Sequence, residues 1–236
     1  MPRRRARRSR RRFRPFRFLA KLVLAVFLFT ILWTALYRFV PVPATSIMLR
    51  DYAAGQSVKR DWTPFERISP NLPRAVIGAE DAKFCTHKGF DVEAIQKAMK
   101  ANEEGGRLRG ASTISQQTAK NAFLWPGRTM IRKGLEAYFT GLMELIWGKR
   151  RIMEVYLNVA EFGIGVYGAE AASRHYYGKS AAGLTRSEAA RLAAILPDPI
   201  TRSASSPGPY TRRYAADIER WIPIVDNDGQ DSCLGI

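Results

Sequence analysis

Residues 22–37, LVLAVFLFTILWTALY, are apolar apart from Thr30 and Thr34. Taken as residues 18–40, this stretch makes about 34 Å of helix at 1.5 Å per residue, enough to cross a hydrocarbon core of about 30 Å. Lys21 and Arg38 lie near its ends, where their heads reach the head groups, and Trp33 and Tyr37 suit a membrane interface. Pro41-Val42-Pro43 ends the span. Residues 41–72 mix polar and apolar positions with Pro64 and Pro70, and read as a juxtamembrane connector.

Beyond the connector the spacing becomes helical. It predicts a short helix over 74–83 and another over 91–102, with Asp91 as N-cap and Gly105-Gly106 as its stop. Residues 105–110, GGRLRG, read as a flexible basic loop, and Ser112 as the cap of a helix running to about 124. Pro126-Gly127 breaks the chain before a long helix over 129–147, with Gly148 as its C′ residue. Ile131, Leu135, Tyr138, Phe139, Leu142, Leu145 and Ile146 keep helical spacing there and read as its core face. A helix follows over 150–159, then a turn at Gly163, Gly165 and Gly168. Thr185 and Glu188 form a capping box for a helix that ends before Pro197. Residues 210–222 read as a closing helix, and the last ten residues as loose. No strand-like alternation of useful length occurs, so the fold is expected to be mainly α, with one domain over 73–200 and an extension over 201–236.

Charge sharpens the topology. Residues 1–21 carry ten Arg and Lys21 without an acid, and the chain's +17 less this +11 leaves +6 for residues 22–236. Such a run alone suits a nucleic-acid arm. Directly before an apolar span it reads instead as a topology signal and a contact for anionic lipid. Residues 1–17 are then a cytoplasmic tail and the rest of the chain lies outside. A cleaved signal peptide is the rival reading, but the apolar run is long for one and Ala44-Thr45-Ser46 is a weak cleavage site. Two cysteines, Cys85 and Cys233, exclude a disulfide framework; an exported domain can pair them, and the sequence leaves both states open.

Three segments carry candidate chemistry. In EDAKFCTHKGFD, residues 80–91, Glu80 and Asp81 adjoin at a helix end, with His87 beyond them. Adjacent helical side chains diverge by about 100°, so one acid works while the other holds partners. Phe84, four residues on, would desolvate Glu80 and raise its pKa. Taken singly, such acids are most often a solvated face and such a His a structural one. In GASTISQQTAKN, residues 110–121, Ser112, Gln116 and Lys120 share a stripe beside Thr113 and Gln117. Hydroxyls and amides match sugar hydroxyls and N-acetyl groups, while Lys120 suits a phosphate; a solvated helix face is the plainer reading. In RTMIRKGLE, residues 128–136, Arg128, Arg132 and Glu136 run at i, i+4, i+8 along the rim of the apolar stripe. With Lys120 and Lys133 they form a basic cluster able to hold a pyrophosphate, although Arg132–Glu136 also fits an ordinary ion pair. Met153, Tyr156 and Leu157 read as core, Glu154 and Asn158 as ties between helices, and Phe123-Leu124-Trp125 as an apolar tip, either core or membrane-dipping.

Together with RRIMEVYLN at 150–158 and EFGIGVYGAEAASRHYYGK at 161–179, these motifs resemble, in order, the peptidoglycan glycosyltransferase module. That module occurs in monofunctional biosynthetic transglycosylases and in bifunctional penicillin-binding proteins. The resemblance covers residues 73–199, and without a Ser-x-x-Lys motif the chain looks like the monofunctional form. It implies a lysozyme-like, mainly α domain with a small membrane-facing lobe. It also implies transfer of a growing glycan from undecaprenyl pyrophosphate to the 4-hydroxyl of lipid II, forming β-1,4 links with inversion. In that resemblance Glu80 is the general base and Glu136 the second catalytic acid, on the donor side. Lys120, Arg128 and Arg132 hold the pyrophosphate, with Lys133 beside them. Ser112, Thr113, Gln116 and Gln117 contact substrate, and Asp81 and His87 support the site. Cys85 falls where no thiol is required, so it is either a small buried residue or Cys233's partner, and not catalytic. No cofactor is required; a divalent cation, Mg or Mn, is compatible with the pyrophosphate, but no ligand set is written in the sequence. The expected partners are lipid II, the lipid-linked strand, the plasma membrane and other cell-wall synthesis or division proteins, without nucleic acid. Two other readings fit parts of the chain: a lytic lysozyme-like enzyme, because a carboxylate cleft also suits glycosidases, and an envelope scaffold that binds anionic lipid.

Overall fold

The computed structural model describes residues 15–104, 111–127 and 129–236. The Arg-rich stretch to residue 14, the 105–110 loop and Arg128 lie outside these described residues. Ten α-helices follow one another among the described residues: α1 (Pro15–Phe39), α2 (Ser46–Ala53), α3 (Asn71–Glu80), α4 (Val92–Glu103), α5 (Ile114–Phe123), α6 (Met130–Ile146), α7 (Lys149–Val159), α8 (Ala169–Tyr177), α9 (Arg186–Ile195) and α10 (Pro209–Asn227). Strands β1 (Lys59–Arg60), β2 (Glu161–Gly163) and β3 (Val166–Tyr167) form one small sheet in the order β1–β3–β2. The mainly α expectation holds.

Local chemistry sets the helix ends that matter for the site. At α3, Asp81 leaves helical geometry at φ −162°, ψ 73°, so the helix ends on Glu80. Helix α5 is capped by Thr113 rather than Ser112. The Thr113 hydroxyl accepts from Gln116 N while Gln116 Oε1 accepts from Thr113 N, which is a reciprocal capping box. Asp91 caps α4 through Ala94 N, and Thr185 with Glu188 caps α9, both as expected. Gly148 is not a left-handed C′ residue; at φ −82° it opens α7.

Helices α3, α9 and α10 pack on one another, while α5 lies against α6 and α7. Glu80 ends the first group and faces α5 of the second. The core runs through both, from Leu72, Val76 and Ile77 to Met143, Ile152 and Leu192. Residues expected to form a connector are part of it: Val42, Met48, Phe65, Ile68 and Leu72 are buried. Asn158 ties them in, accepting from Thr63 N at 2.7 Å and donating to Thr63 O at 2.9 Å. Gly165 makes this approach possible. A Cβ there would come within 2.2 Å of Ser57 O, and φ is +69°.

Two expectations need correcting. The apolar stripe of α6 meets the core only in part: Phe139 is buried and Leu135, Tyr138 and Ile146 pack against the core, while Ile131 is 77% and Leu145 86% exposed. Arg132, Glu136, Thr140 and Met143 are buried beside Phe139, so the buried face is turned from the one the periodicity suggested. The last residues are not loose. Helix α10 packs on α3 and α9, Leu234 is buried, and Cys233 is disulfide-bonded to Cys85 across 148 positions.

Helix α1 is the one helix among the described residues that is long and apolar enough to cross a membrane. Its outer end is joined to the domain. The Thr30 and Tyr138 hydroxyls are 2.7 Å apart, Trp147 Nε1 donates to Thr34 O at 2.8 Å, and Arg151 donates to Tyr37 O at 2.8 Å and Val40 O at 2.6 Å. Trp33 meets Phe123 edge-on at 5.3 Å, and Phe123 stacks on Phe139 at 4.6 Å. Of the apolar tip, Phe123 and Leu124 are core and Trp125 is half exposed.

Candidate active site

Glu80 stands where the end of α3 meets α5. Gln117 Nε2 donates to its Oε2 at 2.9 Å, and the buried Tyr156 hydroxyl lies 3.4 Å from Gln117 Oε1. The amide is thereby fixed with its N–H₂ toward the carboxylate. Burial raises the pKa of Glu80 above the ordinary carboxylate value. The Gln117 hydrogen bond opposes this, Asp81 adds to it, and the Lys120 and Arg202 charges pull it back down. Because the helix stops at Glu80, Phe84 is not on the next turn. It is buried with the Lys149 ammonium 4.6 Å from its ring centroid.

Asp81 has a different occupation from its neighbour. It is buried, accepts from His87 Nε2 at 2.9 Å and from Ile114 N at 3.0 Å, and so joins the loop to the start of α5. His87 Nδ1 accepts from Gly89 N at 3.0 Å, which puts the imidazole proton on Nε2, facing Asp81. Gly89 O in turn accepts from the Thr113 hydroxyl at 2.7 Å. A Cβ at Gly89 would lie 2.8 Å from Thr140 and 3.0 Å from Glu144, at φ +91°, so the loop sits hard on α6. Glu144 is held by Ser115 and by Lys149 at 2.7 Å. Ser115, Glu144, Lys149 and Tyr156 were not selected from the sequence, where nothing distinguishes them from core or surface residues.

Glu80, Asp81, Ser112 and Thr113 line one recess of about 310 Å³. Ser112 faces it from just before α5, but the Thr113 and Gln116 side chains are buried and occupied by capping. A second recess, also about 310 Å³, is lined by Lys120, Trp125 and Arg132. Lys120 has no ion pair among the described residues; burial lowers its pKa, and the Glu136 carboxylate is the largest influence opposing that. Arg132 is buried rather than at a rim. Its Nη1 donates to Glu136 Oε2 at 3.2 Å and its Nε is buried without a partner. Lys133 bonds the other Glu136 oxygen. Glu136 is thus a buried carboxylate with each oxygen bonded to a cation. Arg128 lies outside the described residues.

The arrangement provides a buried carboxylate of raised pKa and, across α5, a positive recess whose Lys120 ammonium has no ion pair among the described residues. That suits a displacement in which a hydroxyl is deprotonated and an anionic group departs. Among the described residues no group of three His, Cys, Asp or Glu side chains converges. With Glu136 already doubly bonded, the donor set does not fit a protein-held divalent cation. Arg202 and Tyr214 come from the C-terminal extension. Arg202 acts on the Glu80 carboxylate through its charge, and the Tyr214 hydroxyl donates to Ala79 O at 3.1 Å.

The transglycosylase family model matches residues 47–220. The chain is similar to the biosynthetic peptidoglycan transglycosylase of Caulobacter vibrioides, 52% identical over 92% of this chain and 97% of that protein. It is also similar to those of Rhodospirillum centenum, 54% identical over 84% and 86%, and Shewanella oneidensis, 53% identical over 88% and 91%.

Proposed function

This chain belongs to the transglycosylase family and polymerises peptidoglycan glycan, and from that premise we propose how its site does so. Glu80 takes the proton of the acceptor's 4-hydroxyl in lipid II. The oxygen attacks the anomeric carbon of the lipid-linked strand from the face opposite the pyrophosphate, giving a β-1,4 link with inversion. Lys120 and Arg132, with Arg128 and Lys133, take up the charge of the departing undecaprenyl pyrophosphate. Glu136 keeps Arg132 and Lys133 in place, while Asp81 and His87 fix the loop that carries the base. The carrying observation is the pairing of a buried Glu80, raised in pKa and oriented by Gln117, with the unpaired Lys120 one turn along α5. No step is routed through a metal. The test is polymerisation of purified lipid II by the Glu80→Gln protein: loss of product with an unchanged fold supports the base, and retained activity removes it.

We propose further that α1 anchors the chain in the plasma membrane with the domain on the outer side. The Arg-rich flank and the Cys85–Cys233 bond, at home in an oxidising compartment, support that orientation. Residues 16–29 of α1 are exposed and give only about 21 Å of helix, short of a hydrocarbon core of about 30 Å. The outer turns packed on α6 must therefore complete the span. The exposed Ile131 and Leu145 then face acyl chains, and the Lys120 recess opens near the head groups that carry the substrate pyrophosphate.

A further inference from the structure

Helix α3 ends on Glu80, with Asp81 beside it and the carbonyl end of the helix, where the macrodipole is negative, at the same point. The last turn of α3 holds no basic residue. Positive charge must therefore reach Glu80 from other elements. Lys120 supplies it from α5, and Arg202 from the segment between α9 and α10. Lys120 faces the departing pyrophosphate in the mechanism above, whereas Arg202 has no part in it.

Arg202 is tied into the fold at both sides of its guanidinium. Nη1 donates to Ala194 O at 2.9 Å, and the group stands 5.2 Å from the Tyr210 ring centroid. Tyr210 stacks on Tyr214 at 6.2 Å, and the Tyr214 hydroxyl donates to Ala79 O at 3.1 Å, one residue before the base. Ala79 O is among the last carbonyls of α3, where donors within the helix run out, so the phenol caps the turn that presents Glu80. Gly78 lets α10 come this close, because a Cβ there would stand 3.1 Å from Trp221 Cβ. Burial, then the Glu80 charge, pushes the Tyr214 pKa up to about 12, so the hydroxyl keeps the proton it donates. A connected path thus runs from Arg202 through two stacked rings to the backbone under the base. The groups facing Glu80 are Asp81 from its own loop, Gln117 and Lys120 from α5, Tyr156 from α7, and Arg202 and Tyr214 from the C-terminal extension.

We propose that Arg202 and Tyr214 are positioning residues of the glycan transfer: Tyr214 fixes the end of α3 so that Glu80 meets the acceptor hydroxyl, and the Arg202 charge, braced on Tyr210, favours the carboxylate form that takes the proton. The C-terminal extension then serves the reaction as well as the core. The inference rests on the reading of Glu80 as the base.

The experiment uses the full chain in detergent micelles and purified lipid II over a range of concentrations and pH. In Arg202→Met the acid limb of kcat/KM is expected at higher pH than in the parent, with a loss of about five- to tenfold near pH 6 that narrows to about twofold near pH 8.5, and with KM within about twofold. Arg202→Lys restores the charge and should return the limb toward its parental position. Tyr214→Phe keeps the ring, loses the hydroxyl, and should lower kcat severalfold with KM within about twofold. A limb that stays in place in Arg202→Met, a loss equal at every pH, or a raised KM as the only change overturns the role of Arg202. Parental kcat in Tyr214→Phe overturns that of Tyr214. Should Arg202→Met not fold, Arg202→Gln keeps a donor for Ala194 O and reads the same charge, with the same outcomes. Active Glu80→Gln would defeat the base reading itself. Inactive Glu80→Gln beside a parental pH profile in the Arg202 variants and parental kcat in Tyr214→Phe would defeat this inference alone.

Discussion

Gln117 Nε2 lies 2.9 Å from Glu80 Oε2, and this one hydrogen bond connects the working carboxylate to the helix that carries Lys120. It opposes the upward push that burial gives the Glu80 pKa.

Removing the bond should move the pH profile. In Gln117→Leu the acid limb of kcat/KM for lipid II polymerisation is expected at higher pH than in the parent, with about a tenfold loss at neutral pH. A limb that stays in place, or moves to lower pH, would contradict the role given to Gln117.

Glu80→Gln should abolish turnover, with a loss of at least about a hundredfold. It should also change stability in a pH-dependent way. The folded-state pKa of Glu80 is raised, so its protonated form favours the fold; that contribution is full below the unfolded pKa and disappears as pH rises through the folded one. The variant should therefore gain on the parent in thermal midpoint at pH 7 and show little gain at pH 4. A gain that is largest at pH 4 would reverse the assigned sign.

Lys120→Met should reduce kcat by about 10²–10³-fold if the ammonium stabilises the departing pyrophosphate. Lys120→Arg, which keeps the charge in a different shape, should recover part of it. Single-turnover measurements would decide: equal rates for Met and parent would exclude leaving-group stabilisation.

Cys85 belongs to the loop between Glu80 and His87, and its bond to Cys233 closes 148 residues of chain. Cys233→Ser, or reductant added to the parent, should lower stability by about 2–5 kcal/mol. Urea midpoints with and without reductant measure it. A parent insensitive to reductant under conditions that demonstrably free both thiols would argue that the bond contributes nothing.

The depth of the domain in the bilayer is also measurable. Leu145→Trp should add fluorescence that brominated acyl chains quench in vesicles, read as the increment over the parent's five tryptophans, whereas the increment from Arg213→Trp should not be quenched. Equally quenched increments at the two positions would mean that the exposed face of α6 does not meet lipid.

The site was legible in the sequence where chemistry and spacing coincide. Gln117 holds Glu80 and shares a recess with Lys120, and Asp81 holds His87. Thr113 and Gln116 looked like substrate contacts and prove to cap α5, because a T-x-x-Q pattern reads the same for either task. Arg132 and Glu136 looked like a rim and lie buried, because helical periodicity gives a stripe without saying which side of the helix meets protein. Arg202 gave no local signal; it matters only through Glu80, far away along the chain.

The sequence by itself determined a mainly helical chain with one membrane-length apolar helix and the order of the motifs. These depend on composition, short-range spacing and chain order, which the linear pattern contains. Tertiary structure alone decided that parts of residues 42–72 and 201–236 join the core, that Cys85 pairs with Cys233, that α6 leaves Ile131 and Leu145 outward, and that Glu80 is held by Gln117 while Asp81 is spent on His87 and Ile114. Those outcomes depend on which surfaces meet across long separations, and on whether protein, lipid or water lies beside each apolar face.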